Sequence, residues 1–121
     1  MTEKMIPATR MPSIAAGKTQ VMEIKVDSLK ANESLHTSGN KYLNAGNIKY
    51  YAICTSRTSG TTADVGLAYV NSKGEFILQA TTSLSGVDSY GTIVGNSVYK
   101  NYGYIENTGT STLKATYALM K

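Results

Sequence analysis

Period-two alternation, repeated along most of the chain and broken by turn residues, narrows the folds open to this sequence more than any other feature. Met22, Ile24 and Val26 alternate with Glu23, Lys25 and Asp27, which is the pattern of a strand with one buried face. Further on, Ile48, Tyr50, Ala52 and Cys54 share one face while Lys49, Tyr51, Ile53 and Thr55 share the other. That strand is apolar enough on both sides for a place inside a sheet. Val65, Leu67 and Tyr69 form the next inward set, and Asn71-Ser72-Lys73-Gly74 predicts a hairpin turn into Phe76, Leu78 and Ala80 as the inward side of the return strand.

Weaker strands are expected over 34–37, 89–94 and 97–106, and a last one carries Leu113, Ala115, Tyr117 and Leu119 opposite Lys114 and Thr116. About eight strands with short connections and no helical period predict an all-β chain, a single antiparallel β-sandwich. An eight-stranded jelly roll is preferred to a closed barrel or an immunoglobulin-like sandwich; for the last, the chain has one Cys and no Trp and so cannot supply that core pair. Nine Tyr and eleven Gly against one Phe fit pleated sheet joined by tight turns.

Residues 1–19 break the pattern. They hold both prolines, Pro7 and Pro12, and their apolar residues Met1, Met5, Ile6, Met11 and Ile14 follow neither a helical nor a strand period. The chain therefore divides into an extended N-terminal arm, 1–19, and a β-sandwich domain, 20–121. Fully extended, the arm reaches on the order of 60 Å. Methionine adapts to irregular grooves, so Met1, Met5, Ile6, Met11 and Ile14 are the expected contacts of the arm with a neighbouring subunit.

Charge excludes some partners. The net +4 comes from twelve basic and eight acidic residues scattered along the chain, whereas nucleic-acid binders gather their basic groups on one face or in one run. No nucleic-acid partner is expected. No apolar run approaches a membrane span, so membrane insertion is not expected, and no secretory signal is evident.

Chemical motifs are sparse. His36 and Cys54 are the only residues of their kinds, too few for a zinc site. As a nucleophilic pair they compete with a simpler reading, a surface histidine and a small buried hydrophobe. Ala15-Ala16-Gly17-Lys18-Thr19 has the ending of a phosphate loop, but Pro12 occupies the place of its first glycine. Asn32-Glu33-Ser34 matches a glycosylation sequon. The acids stand singly, with no evident glycosidase couple. Neither an enzyme nor a cofactor is expected.

Tyrosine is amphipathic and common at contact surfaces, which marks Tyr51, Tyr102 and Tyr104 as an interface or a ligand surface. The leading expectation is a self-assembling structural subunit of a fibre, tube or shell. Its partners are copies of itself, joined by docking of the arm, with a second protein anchoring or capping the assembly. The alternative is a non-catalytic binding module, lectin-like or a virion decoration, using the Gly/Ser/Thr/Asn loops at 57–62 and 84–91. In layout alone, an extended connector before a small jelly roll resembles subunits of bacterial surface and spore appendages and of virion parts. That resemblance implies an extracellular or virion or spore surface location. The arm differs from the spore-appendage pattern in having no cysteine to link subunits covalently.

Overall fold

In a computed structural model of the chain, residues 17–58, 61–85 and 90–121 are described in full and Met5–Pro7 by its backbone. Among these residues there are ten strands and no helix: β1 (Met5–Pro7), β2 (Gln20–Leu29), β3 (Ser34–His36), β4 (Tyr42–Leu43), β5 (Lys49–Thr58), β6 (Ala63–Val70), β7 (Phe76–Leu84), β8 (Tyr90–Val94), β9 (Asn101–Asn107) and β10 (Leu113–Met120). They form two antiparallel sheets. In the first, β10 lies between β2 and β5, and the far edge of β5 carries both β8 and β1. In the second, the order is β7-β6-β9, and β9 carries β3 and β4 on its far edge. The chain is an antiparallel β-sandwich, as its alternation predicts.

The inner faces supply the core. Met22, Ile24 and Val26 of β2, Tyr50, Ala52 and Cys54 of β5 and Leu113, Ala115, Tyr117 and Leu119 of β10 pack against Val65 and Leu67 of β6 and Ile105 of β9. Tyr117 is the largest of the fully buried side chains, so a tyrosine takes the place that Phe or Trp fills in other cores. Its burial, with the Cys54 thiol close by, pushes its phenol well above the ordinary range. Strand β5 is apolar on both faces because it lies inside its sheet: Ile53 forms a satellite cluster on the outer side with Ala118 and Met120.

Three expectations are corrected. Phe76 and Leu78 do not face the core; they are 43% and 47% exposed. The β6–β7 register pairs Leu67 with Ala80 and Ala68 with Leu78, leaving Gln79 as an extra residue. Such a bulge inverts the faces of everything beyond it. The strand expected over 97–106 begins at Asn101, because the Asn96 side chain bends the preceding residues by accepting hydrogen bonds from Val98 and Tyr99 N–H (2.8 and 2.9 Å). Two short strands, β1 and β4, add to the eight expected. The 71–74 turn forms as predicted: Gly74 takes φ +77°, and the Asn71 side chain accepts bonds from Lys73 and Glu75 N–H.

Candidate assembly surfaces

The first surface is the outer edge of β5. Strand β8 occupies it from Lys49 to Ile53, and β8 starts at Tyr90 while β5 continues for five residues more. The arm uses the remaining edge: Met5, Ile6 and Pro7 pair antiparallel with Thr58, Arg57 and Ser56. Both are antiparallel to β5, so β1 and β8 run in the same direction along one edge, end to end. Pro7 has no N–H to give and stands at the last paired position, where a missing donor interrupts no further ladder. The arm thus carries a strand, and the sandwich carries an edge that takes it. Met1, Met11 and Ile14 lie outside the described residues, and Met5 and Ile6 are placed by their backbone only.

Tyr51 stands on the outer face of this same sheet. The ammonium groups of Lys18 and Lys49 lie 4.4 and 5.4 Å from its ring centroid, and Tyr90 is its aromatic neighbour at 6.4 Å. Lys18 belongs to the segment that links the arm to β2. Gly17-Lys18-Thr19 builds no phosphate loop: Thr19 exchanges backbone hydrogen bonds with Lys121 (3.0 and 2.8 Å) and enters a strand.

Tyr102 and Tyr104 are on the outer face of the other sheet, so the structure separates them from Tyr51. Register places His36, Tyr104 and Gly66 in one row and Tyr42, Tyr102, Ala68 and Leu78 in the next. His36 and Phe76 come from strands separated by β9 and β6, yet their rings stack at 4.7 Å; the small Gly66 and Ala68 between them keep the surface low. Tyr102 lies edge-on to His36 and to Tyr42, and Lys100 caps the Tyr42 ring at 4.4 Å. Tyr104 sits beneath, beside Phe76 at 6.3 Å, and donates to Glu106 Oε1 at 2.8 Å. Burial first, and then the Glu106 carboxylate, raises its phenol above the ordinary range. His36 was legible as a surface residue, but its partner Phe76 was not, because the bulge that turns Phe76 outward leaves no mark on the periodicity.

The remaining candidates are ordinary. Cys54 is fully buried, as a small hydrophobe would be, and His36 lies on the surface of the opposite sheet, so the two form no nucleophilic pair. Among the described residues no three His, Cys, Asp or Glu side chains converge on a metal-sized site. Asn32, the first residue of the sequon, takes a left-handed φ of +66° in the turn after β2. Of the two candidate binding loops, residues 59, 60 and 86–89 lie outside the described residues. No protein-family profile matches the sequence, and no curated protein matches it.

The third feature is a groove of about 630 Å³ on the long side of the sandwich between β2 and the β3–β4 edge, lined by Met22, Ile24, Val26, Leu35, Tyr42 and Ile105 among others. It exists because β3 and β4 are three and two residues long and are parted by the turn around Gly39. One sheet therefore ends in a broken edge and the other in the unbroken β2.

Proposed function

We propose that this chain is a structural subunit that polymerises with copies of itself into a fibre, tube or shell by lending its arm to a neighbour. One observation carries the reading: the arm contains a strand, Met5–Pro7, that adds to a sheet edge at Ser56–Thr58. Extended-segment addition is a general mode of subunit recognition. The same three-residue ladder forms whether the strand comes from its own chain or the next, so exchange costs little. Residues 8–16 join the strand to the sandwich and span up to about 30 Å when extended, enough to reach a copy in contact. A head-to-tail contact of this kind propagates.

The nested strand order, β2-β10-β5-β8 facing β3/β4-β9-β6-β7, supports our reading of the sandwich as a jelly roll. An appendage or virion or spore surface suits such a subunit, with a second protein to anchor or cap the end. The aromatic face of His36, Phe76, Tyr42 and Tyr102 favours one second reading, a binding module that stacks flat ligands such as sugars.

The test is a full-length chain carrying Ile6→Cys and Arg57→Cys, whose Cα atoms are register partners. Oxidation of the assembled protein should give a ladder of disulfide-linked copies on a non-reducing gel, with polymers visible by negative-stain electron microscopy. A single band at monomer mass, with no polymers, would mean that the arm stays on its own chain and the building-block reading is wrong.

A further inference from the structure

The edge of β2 away from β10 is one that β1 does not use. One side of β2 is bonded to β10, and on its other side no strand pairs with it among the described residues. A strand edge of this length with no partner strand on that side, beside a groove lined by both apolar and polar side chains, is a template for another strand. Proteins blunt such edges with proline, with bulges or with a central lysine that an incoming strand would have to bury. Here the segment from Val21 to Val26 has no proline or glycine, and its one guard is Lys25.

Lysine guards an edge only if the incoming strand has nothing to offer it. In an antiparallel pair of β2 with itself, residues opposite each other must face the same side, so the twofold axis passes through a residue position. An axis at Glu23 sets that carboxylate against its own copy. An axis at Lys25 sets lysine against lysine and Glu23 against Asp27. An axis at Val26 matches Lys25 to Asp27 but runs the ladder through Asp27 and Ser28, the two residues that bulge opposite Lys114. An axis at Ile24 matches Glu23 to Lys25 twice, with Met22 opposite Val26 twice and Ile24 opposite itself. It also lies within the part of β2 that pairs regularly with β10, Met22 to Val26. Opposite charges directly across a ladder stabilise it and like charges oppose it.

We infer that two copies of this chain pair side by side through β2, antiparallel and centred on Ile24, so that the sheets carrying β2 join into one. The contact is isologous and closes as a pair. It is separate from the arm contact, and together the two would bind neighbouring protofilaments.

The test uses full-length Glu23→Cys and Lys25→Cys chains, co-expressed and also made singly, then mildly oxidised. Directly opposite residues lie about 4.5–5.5 Å apart at Cα and can be bridged, whereas the diagonal pairs that either variant alone would offer lie beyond about 7 Å and cannot. The expected result is a linked dimer several-fold more abundant in the co-expressed sample than in either single one, identified by intact mass as the mixed species. Equal yields, or no dimer in any sample, would overturn the inference. As a second readout by sedimentation, Lys25→Glu should weaken the pair at least tenfold and Glu23→Lys with Lys25→Glu should restore it. A double variant no better than the single one would also overturn it. Neither readout depends on the Ile6–Arg57 link, so the arm reading and this one can fail independently.

Discussion

Along one long side of the sandwich, β8 and β7 bring the two sheets into contact. Gly91 has no side chain, and a Cβ there would collide with the hydroxyl and Cβ of Thr82 across the seam. At the end of that seam the bulged Gln79 reaches over to the other sheet, donating to the Val94 carbonyl at 3.3 Å and accepting from Asn96 Nδ2 at 3.1 Å. Along the other side, β2 faces two short strands and the sheets part into a groove. The difference lies in what fills the gap. One side is sealed by a missing side chain and a displaced polar one; the other, among the described residues, leaves backbone and a mixed lining of apolar and polar side chains for something else to cover. A sandwich with one sealed side and one open side has a direction in which to associate.

The open side does not gape further because Asn107 pins its end. This fully buried side chain donates from Nδ2 to the carbonyls of Leu29 and Ser111, both at 2.8 Å, and accepts from Gly109 N–H at 2.9 Å. Leu29 ends β2 and Asn107 ends β9, so the bonds tie the two sheets. Asn107→Ala strands three backbone groups, each worth about 1–3 kcal/mol when buried unpaired, for an expected loss of about 4 kcal/mol. Chemical denaturation would measure it. A loss under about 1 kcal/mol would mean that the open side is not held from this end.

Next in size is the seam. Gly91→Ala drives a methyl into Thr82, a β-branched residue with little rotamer freedom, and should cost about 2–3 kcal/mol. Thr82→Ala in the same chain removes two of the three colliding atoms and should return part of that loss. The open side offers a matched experiment. A Cβ at Gly103 would meet the Met22 sulfur at 2.7 Å and Ile24 Cγ1 at 2.9 Å. Methionine is flexible and the groove lies beside it, while the β-branched Ile24 yields less, so Gly103→Ala should cost about 1–2 kcal/mol, below the cost at Gly91. Equal costs at Gly91 and Gly103 would erase the distinction between the two sides.

How far these two sides could be read from the sequence differs in the same way. The alternation of β2 was plain, since Met22, Ile24 and Val26 are buried and Glu23, Lys25 and Asp27 are exposed, and the bulge against β10 comes only at the end of that run, at Asp27 and Ser28. Strand β7 read equally well and misled, because the bulge at Gln79 is fixed by its pairing with Leu67 and Ala68 rather than by its own residues. Strand β4 has two residues, too few to show a period. The separation of Tyr51 from Tyr102 and Tyr104 depends on which strands share a sheet, a long-range matter that local pattern does not carry. Asn101 and Asn107 were invisible as core residues: asparagine in a polar stretch reads as turn chemistry, and only the fold reveals that loop carbonyls converge on it.

The smallest expected effect is the one that ties the open side to assembly. By register Leu35 faces inward, opposite Ile105, yet it is 51% exposed because it overlooks the groove. In dilute solution Leu35→Thr should therefore cost under about 0.5 kcal/mol. Truncation at Leu67, which is fully buried, should cost about 3 kcal/mol. If β2 pairs with a second copy, the groove gains a wall and Leu35 loses its water. The penalty at Leu35 should then grow with protein concentration while that at Leu67, measured per folded chain, does not. Thermal unfolding of both variants across a hundredfold range of concentration separates the cases. A Leu35 cost that is large and independent of concentration would mean that the groove is already closed within one chain, and a cost that stays small throughout would mean that nothing of its own kind ever fills it.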